Sequence, residues 1–306
     1  MQFGIREICD VVFKAKNAGN LGTFEYRAGQ PVLYIDSAKT STMEGAATTV
    51  YAQGGKGNAR LIAWEGEKTL TFTVEDALLS EMGFAILSGA GLMKAGDTVN
   101  GEAHKVYVHT TAKAILDTDG EIDLSDVLKA DEKIDDNSPV FVMAMEHGSI
   151  KSMLTDCTVD TTGKKITATA PEKETVVFVD FYVVKTEGVT EMSIDVENFA
   201  GYYYVEASTL FRRQSDGKDL PAELIFPNVK IQSNFTFSMA ATGDPSTFTF
   251  TMDAMPGYTR FDRTKKVLCV MQVVDEEVTA SASKIDSTGT VADGELKYPI
   301  TEATAD

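Results

Sequence analysis

The sequence predicts a mainly β protein with one short packed α-helix and a smaller β-sandwich inserted into its main sheet. Three observations carry that reading. Around a Gly243-Asp244-Pro245 break, Phe235, Phe237 and Met239 alternate with Thr236 and Ser238, then Phe248, Phe250 and Met252 alternate with Thr247, Thr249 and Thr251. Such alternation puts the Phe side chains on one face of a strand and the hydroxyls on the other, and the break makes a hairpin the natural reading. The pattern recurs where Leu70, Phe72 and Val74 alternate with Thr69, Thr71 and Thr73, as in sheets with one buried and one water-facing side. The third observation supplies the helix. Leu78, Leu79, Met82, Ile86 and Leu87 follow Asp76 at helical spacing, with Asp76 as the expected N-cap and Gly89 and Gly91 as the stop.

Taken in order, residues 1–25 mix Val11, Val12 and Phe13 with Lys14 and Lys16 and read as a short strand or extended arm. Pro31–Ile35 is a compact apolar run typical of a strand. Residues 39–60 are rich in Ser, Thr, Ala and Gly, too long for a hairpin turn, and read as an extended functional loop with some β character at Val50 and Tyr51. From about 100 to 174, short strands such as 105–110 and 140–145 alternate with acidic turns, the spacing of a small β-sandwich. The main sheet is expected to resume at Val176–Val184, apolar on nearly both faces. Tyr202–Val205 and Leu210-Phe211 precede an Asp216-Gly217 hairpin signal. Leu224–Val229 leads into the Phe/Thr hairpin, Val267–Val274 is the last expected strand, and the acidic remainder reads as a tail or weakly packed surface segment.

Composition narrows the function classes. A 43% hydrophobic fraction supplies a sizeable core, and no window approaches ~20 consecutive apolar residues, so no membrane span is expected. The N-terminus carries no basic region followed by an apolar core, so no secretory signal is read. Cys9, Cys157 and Cys269 are odd in number and lack metal-site spacing, which points to small apolar residues in a reducing compartment. The net charge of −18 opposes ordinary nucleic-acid binding, which needs cations to displace counterions from phosphates. It suits a surface that DNA must pass without sticking, because like charges repel, and simple solubility is the plain alternative.

Motifs with chemistry are weak throughout. The segment from Asp117 to Asp126 has the texture of a calcium loop, but Ile115 falls where the first carboxylate belongs and Asp126 where a bidentate Glu belongs, so it reads as an acidic turn. Gly89-Ala90-Gly91 follows a helix instead of preceding one, and Gly54-Gly55-Lys56-Gly57 lacks the Ser or Thr of a phosphate loop. No Gly-x-Ser-x-Gly elbow is present and no carboxylate pair stands out in an aromatic setting, so an enzyme has no positive support. No catalytic, cofactor or metal residue is expected.

Three features together resemble the tail tube (major tail) proteins of tailed bacteriophages. They are the long Gly/Ser/Thr stretch before Leu61-Ile62-Ala63-Trp64-Glu65-Gly66-Glu67-Lys68-Thr69-Leu70, the short helix after it, and Gly201–Ala207 followed by Arg212–Asp219, Pro227–Ile231 and Asp253–Pro256. The resemblance covers about 25–95 and 176–272 and is one of pattern, without an invariant motif. It implies a tail-tube-type β-sandwich or barrel over 1–99 and 175–274, an inserted immunoglobulin-like β domain over 100–174, and an acidic tail over 275–306. It implies homo-hexameric rings stacked into the conduit for genome ejection, within the virion and assembled in the host bacterial cytoplasm. Tail sheath, tape measure and baseplate proteins are the implied further partners, and DNA passes through the lumen without specific binding. Thr42, Met43, Glu44, Tyr51, Gln53, Lys56 and Arg60 would reach the neighbouring ring, while Phe72, Phe235, Phe237, Phe248 and Phe250 would pack the sheet. The alternative is another virion structural protein or a β-sandwich binding protein, such as a capsid decoration protein or an adhesin.

Overall fold

The computed structural model describes residues 2–5, 7–117, 119–129, 132–135, 137–160, 164–169, 175–236 and 247–275. The chain opens with β1 (Phe3–Ile5) and β2 (Asp10–Ala15), a small hairpin of β3 (Gly19–Leu21) and β4 (Phe24–Tyr26), and β5 (Pro31–Ile35). The expected N-terminal arm is in part a core strand, because Val11, Phe13 and Ala15 alternate inward along β2 and are buried. The two longest strands follow, β6 (Ala38–Gly54) and β7 (Ala59–Asp76), paired antiparallel from Ala38↔Asp76 to Gly54↔Ala59. The loop expected over 39–60 is therefore a strand and half a ribbon, with only Gly55–Asn58 left to turn the chain. Small and hydroxyl side chains gave little apolar signal there, but ladder hydrogen bonds are made by backbone groups and need none.

Helix α1 (Glu81–Ser88) is capped by Ser80, whose hydroxyl accepts from the Gly83 N–H at 2.9 Å, and it ends at Gly89 in the left-handed region. Gly89 is the expected stop; Asp76 is not the cap. Asp76 stays in β7, where its carboxylate accepts from the Ser37 hydroxyl at 2.5 Å and the Leu78 N–H at 3.2 Å. Those bonds hold the exit from β7, and Leu78 is consequently exposed instead of starting the helix. The helix buries Phe84, Ala85, Ile86 and Leu87.

Next come β8 (Gly91–Lys94), a hairpin of β9 (Thr98–Val99) and β10 (Glu102–Ala103), and then β11 (Val106–Ile115), β12 (Glu121–Asp123), β13 (Lys133–Ile134), β14 (Phe141–Glu146), β15 (Ser149–Met153), β16 (Thr155–Asp160), β17 (Lys165–Thr169) and β18 (Val176–Lys185). One sheet runs β11-β18-β14-β15 with β13 on β18, and a second runs β12-β17-β16. Their facing residues, among them Ile122, Ile134, Val142, Ile166, Val177 and Phe181, form one buried cluster, so the pair is a β-sandwich with its own core. Val176–Val184 was expected to restart the main sheet. It pairs instead with β11 along its whole length and with β14 on its other edge. An apolar run marks a central strand, but not the sheet in which it is central. The chain returns through β19 (Thr190–Ser193), which pairs with β8.

The remaining strands are β20 (Tyr202–Arg213), β21 (Asp219–Ile231), β22 (Phe248–Ala254) and β23 (Val270–Val273). The Asp216-Gly217 hairpin forms as expected between β20 and β21, with Gly217 at φ 69°. All these strands join the antiparallel order β5-β2-β20-β21-β22-β7-β6, with β1 on β20 and β23 on β21. Their inner faces enclose the first core with Ile86 and Leu87 of α1. β22 lies between β21 and β7, through Ile231↔Met252 and Phe250↔Val74. The sequence paired it with 235–239. Of that segment, Phe235 and Thr236 lie outside any strand, and Phe237 and the rest through 246 lie outside the described residues. The alternation itself holds: Phe250 and Met252 are buried, Thr249 is exposed. Residues 276–306, nearly the whole expected tail, also lie outside the described residues.

Candidate assembly surface

The ribbon β6–β7 divides into two halves. Near Ala38 and Asp76 it is sheltered: β22 pairs with β7 from Thr71 to Asp76, and Phe72 and Val74 are buried. Beyond Leu70, among the described residues, neither a third strand nor a core accompanies it. From Ala46 to its tip the ribbon spans nine residues on β6, roughly 30 Å at ~3.3 Å per residue. The tip is built for a tight reversal, with Gly55, Gly57 and Asn58 all at positive φ and Asn58 donating to the Gln53 side chain at 3.1 Å.

A bulge separates the halves. Between Ala47↔Lys68 and Thr49↔Glu65, Thr48 alone faces both Gly66 and Glu67. The Thr48 hydroxyl accepts from the Glu67 N–H at 2.9 Å, and a Cβ on Gly66 would stand 2.6 Å from that hydroxyl, so a larger residue there would displace the hydroxyl and its hydrogen bond. The extra residue shifts the phase of β7. Below the bulge Leu70, Phe72 and Val74 face the core; above it Ile62 and Trp64 share a side with Val50 and Ala52, which along β6 is the side of Thr42 and Glu44. The outer ribbon thus carries an uncovered apolar stripe, with Val50 62%, Ile62 54% and Trp64 53% exposed. Its other side is polar, and the Arg60 guanidinium stacks 4.2 Å from the Tyr51 ring centre.

The side of the main sheet facing away from its core is hydroxylic and charged. Across β6, β7 and β22 it presents Thr42, Glu44, Thr71, Thr73, Thr249 and Thr251. Asp253 accepts from the Thr71 hydroxyl at 3.2 Å and the Gln232 amide at 2.9 Å. Hydrogen bonds from Thr247 and Thr40 hold the Glu75 carboxyl below the usual carboxylate range. On the neighbouring strands Lys14 pairs with Glu206. The sheet also has free edges: among the described residues no strand pairs with the outer side of β6 or of β5.

The structure places Thr42, Met43 and Glu44 on the sheltered half of β6, Tyr51 and Gln53 on the outer half, Lys56 in the tip and Arg60 just past it. Phe72 stacks on Phe226 at 4.9 Å, Phe250 meets Phe13 at 5.9 Å, and Phe235 stands edge-on to Phe84 of α1 at 5.2 Å. Phe248 is partly buried against the same core. The stripe of Val50, Ile62 and Trp64 was missed as a unit. Its signal was present, since β-favouring apolar residues stand there among Gly, Ala and Thr, but their pairing depends on register. In the 117–126 segment the Asp117 carboxylate accepts from the Asp119 and Glu121 N–H groups, the hydrogen bonding of an acidic turn. Among the described residues no group of three or more metal-ligating side chains converges, and no helix is long and apolar enough to cross a membrane.

An open antiparallel sheet, a helix closing its core and a long uncovered ribbon make up this β-rich fold. The chain belongs to the YomU/Tube protein family, whose model matches residues 4–266. This makes it a virion structural protein, of a family not known for enzymes. No curated protein matches it.

Proposed function

We propose that the protein assembles into homo-hexameric rings that stack into the tail tube, the conduit through which the genome leaves the capsid. The observation that carries this reading is the outer β6–β7 ribbon. A two-stranded ribbon alone is marginal in water, and an apolar stripe on a free-edged strand favours association. A neighbouring copy of the same chain is the occupant that covers it in every subunit alike. The Thr- and carboxylate-bearing side of the main sheet would then line a wet bore, and the net charge of −18 keeps DNA from adhering to it. The sandwich built on β11–β18 would sit outside as an immunoglobulin-like decoration. Assembly would take place in the host bacterial cytoplasm, with tape measure, baseplate and, in a contractile tail, sheath proteins as further partners. Negative-stain microscopy of the purified chain at high concentration tests the reading. Hollow tubes or rings of fixed diameter are expected; a species that stays monomeric under all conditions overturns it.

A further inference from the structure

We propose that a basic groove on the outward side of the main sheet is a carboxylate receptor for the acidic segment 276–306 of this same chain. The inference stands apart from ring stacking and would hold for a monomer. After β22 the chain leaves the sheet as a loop closed by Gly257 and Val267, which exchange both backbone hydrogen bonds, at 3.0 and 2.9 Å. The loop folds over β20 and β2: the Arg260 guanidinium stands 5.1 Å from the Tyr204 ring centre and donates to the Gly29 carbonyl at 3.0 Å. Beneath it lies a groove of about 930 Å³ lined by Lys16, Tyr204, Arg260, Arg263 and Lys266.

The chemistry of this groove is one-sided. Four cations converge in a chain whose net charge is −18, and among the described residues none of the four forms an ion pair with a carboxylate. The nearest acid in the loop sequence, Asp262, is turned to the Thr264 N–H and hydroxyl at 2.7 and 2.6 Å. Lys16 donates to the neutral Asn228 amide oxygen at 2.8 Å, and burial lowers its pKa. The Tyr204 hydroxyl is 93% buried with its residue and has no hydrogen-bond partner in normal geometry. Burial raises its pKa, with Glu206 and Glu223 adding to the rise, and the Arg260 backbone N–H and charge oppose it; of those two carboxylates Glu206 is taken up by Lys14. The guanidinium and ammonium groups around it can donate but not accept, so its O–H proton wants an acceptor. An incoming carboxylate supplies the acceptor and the counter-charge together.

Segment 276–306 fits that chemistry, with seven acidic residues against two lysines. It starts after Asp275, which is held by Arg213 at the far end of β20. Arg213 is nine residues along β20 from Tyr204, roughly 30 Å. Thirty-one residues reach at most ~100 Å when extended, so the groove lies within range of the segment from its own copy or from an adjoining one.

Zero-length carbodiimide cross-linking of the full-length protein tests this directly. The expected products join Lys16 or Lys266 to acidic residues of 276–306; mixing isotope-labelled and unlabelled protein then tells which copy supplies the segment, and either source supports the proposal. In parallel, limited proteolysis follows cleavage within 276–306. The double variant Arg263→Glu/Lys266→Glu should speed that cleavage about fivefold, the scale set by two solvent-exposed charge pairs. Tyr204→Phe should speed it less. The proposal is overturned if those lysines give no product with the segment while other lysines do. Retention of a short single-stranded DNA, abolished by the double variant without any such cross-link, would overturn it in favour of a nucleic-acid site. Cross-linking of the wild-type chain needs no variant, so a double variant that fails to fold leaves the test intact.

Discussion

The two halves of the β6–β7 ribbon share one continuous backbone ladder but live in different surroundings. The inner half has β22 on its free edge and buries Phe72 and Val74 in the first core. The outer half has the same hydrogen bonds between its own strands but, among the described residues, no third strand, and it turns Val50, Ile62 and Trp64 to solvent. Ladder hydrogen bonds therefore do not distinguish a structural strand from an adhesive one; what each apolar side chain rests against does. The inner half stabilises this molecule, and the outer half has apolar surface left over for another.

Three further experiments separate the two roles, in order of expected effect. Joining Ala46 to Thr69 through an Asn-Gly turn removes the outer half while keeping a favoured two-residue reversal. This variant should fold, with a stability within about 0.5 kcal/mol of the parent by denaturant titration, and should form no tubes under the microscope. Tube formation by it would refute the role given to the ribbon. Phe72→Ala should do the reverse, costing roughly 3–5 kcal/mol of folding stability because it empties a fully buried site stacked on Phe226. Trp64→Ala should leave monomer stability within about 0.5 kcal/mol yet weaken association about tenfold, measured by sedimentation across a concentration series. Equal effects of the Phe72 and Trp64 substitutions on monomer stability would erase the distinction between the halves.

A finer test uses Glu75 at the sheltered end. Its carboxyl is held low first by the Thr247 hydroxyl and then by that of Thr40. A folded-state pKa below the unfolded value adds stability that is fully present above the ordinary Glu range and lost as pH falls through the folded value. Thr247→Val should raise the Glu75 pKa toward the ordinary range, as followed by NMR titration. An unchanged titration would show that hydroxyl to be irrelevant.

Much of the inner half was legible from residue order alone. Leu70, Phe72 and Val74 alternate with threonines because one face is buried and the other is wet, and burial imposes that pattern wherever it acts. Residues 39–60 read as a loop, which takes in the sheltered part of β6 as well as its outer part, because their small and hydroxyl side chains show no apolar alternation. Their signature is register, and register is set by the partner strand. The bulge at Gly66 is a single added residue with no compositional mark. Likewise Val176–Val184 is recognisable as a strand, while its membership of the β-sandwich depends on β11, more than sixty residues earlier. The helix start slipped from Asp76 to Ser80 because both are good caps and a contact with Ser37 decided between them. The basic groove gathers Lys16 and Arg260 from distant stretches, so no local motif announces it.

The bulge at Thr48 and Gly66 bears on how copies can join. By inverting sidedness partway along the ribbon, it denies the outer stripe any chance of lying down on the core that the inner stripe completes. Two such stripes packed on each other would close a pair and stop there, whereas a stripe received by a different patch of the next copy leaves one position open at each end and so has a direction. The proposed stacking calls for the second kind of contact, and the bulge is the single residue that turns the stripe outward for it.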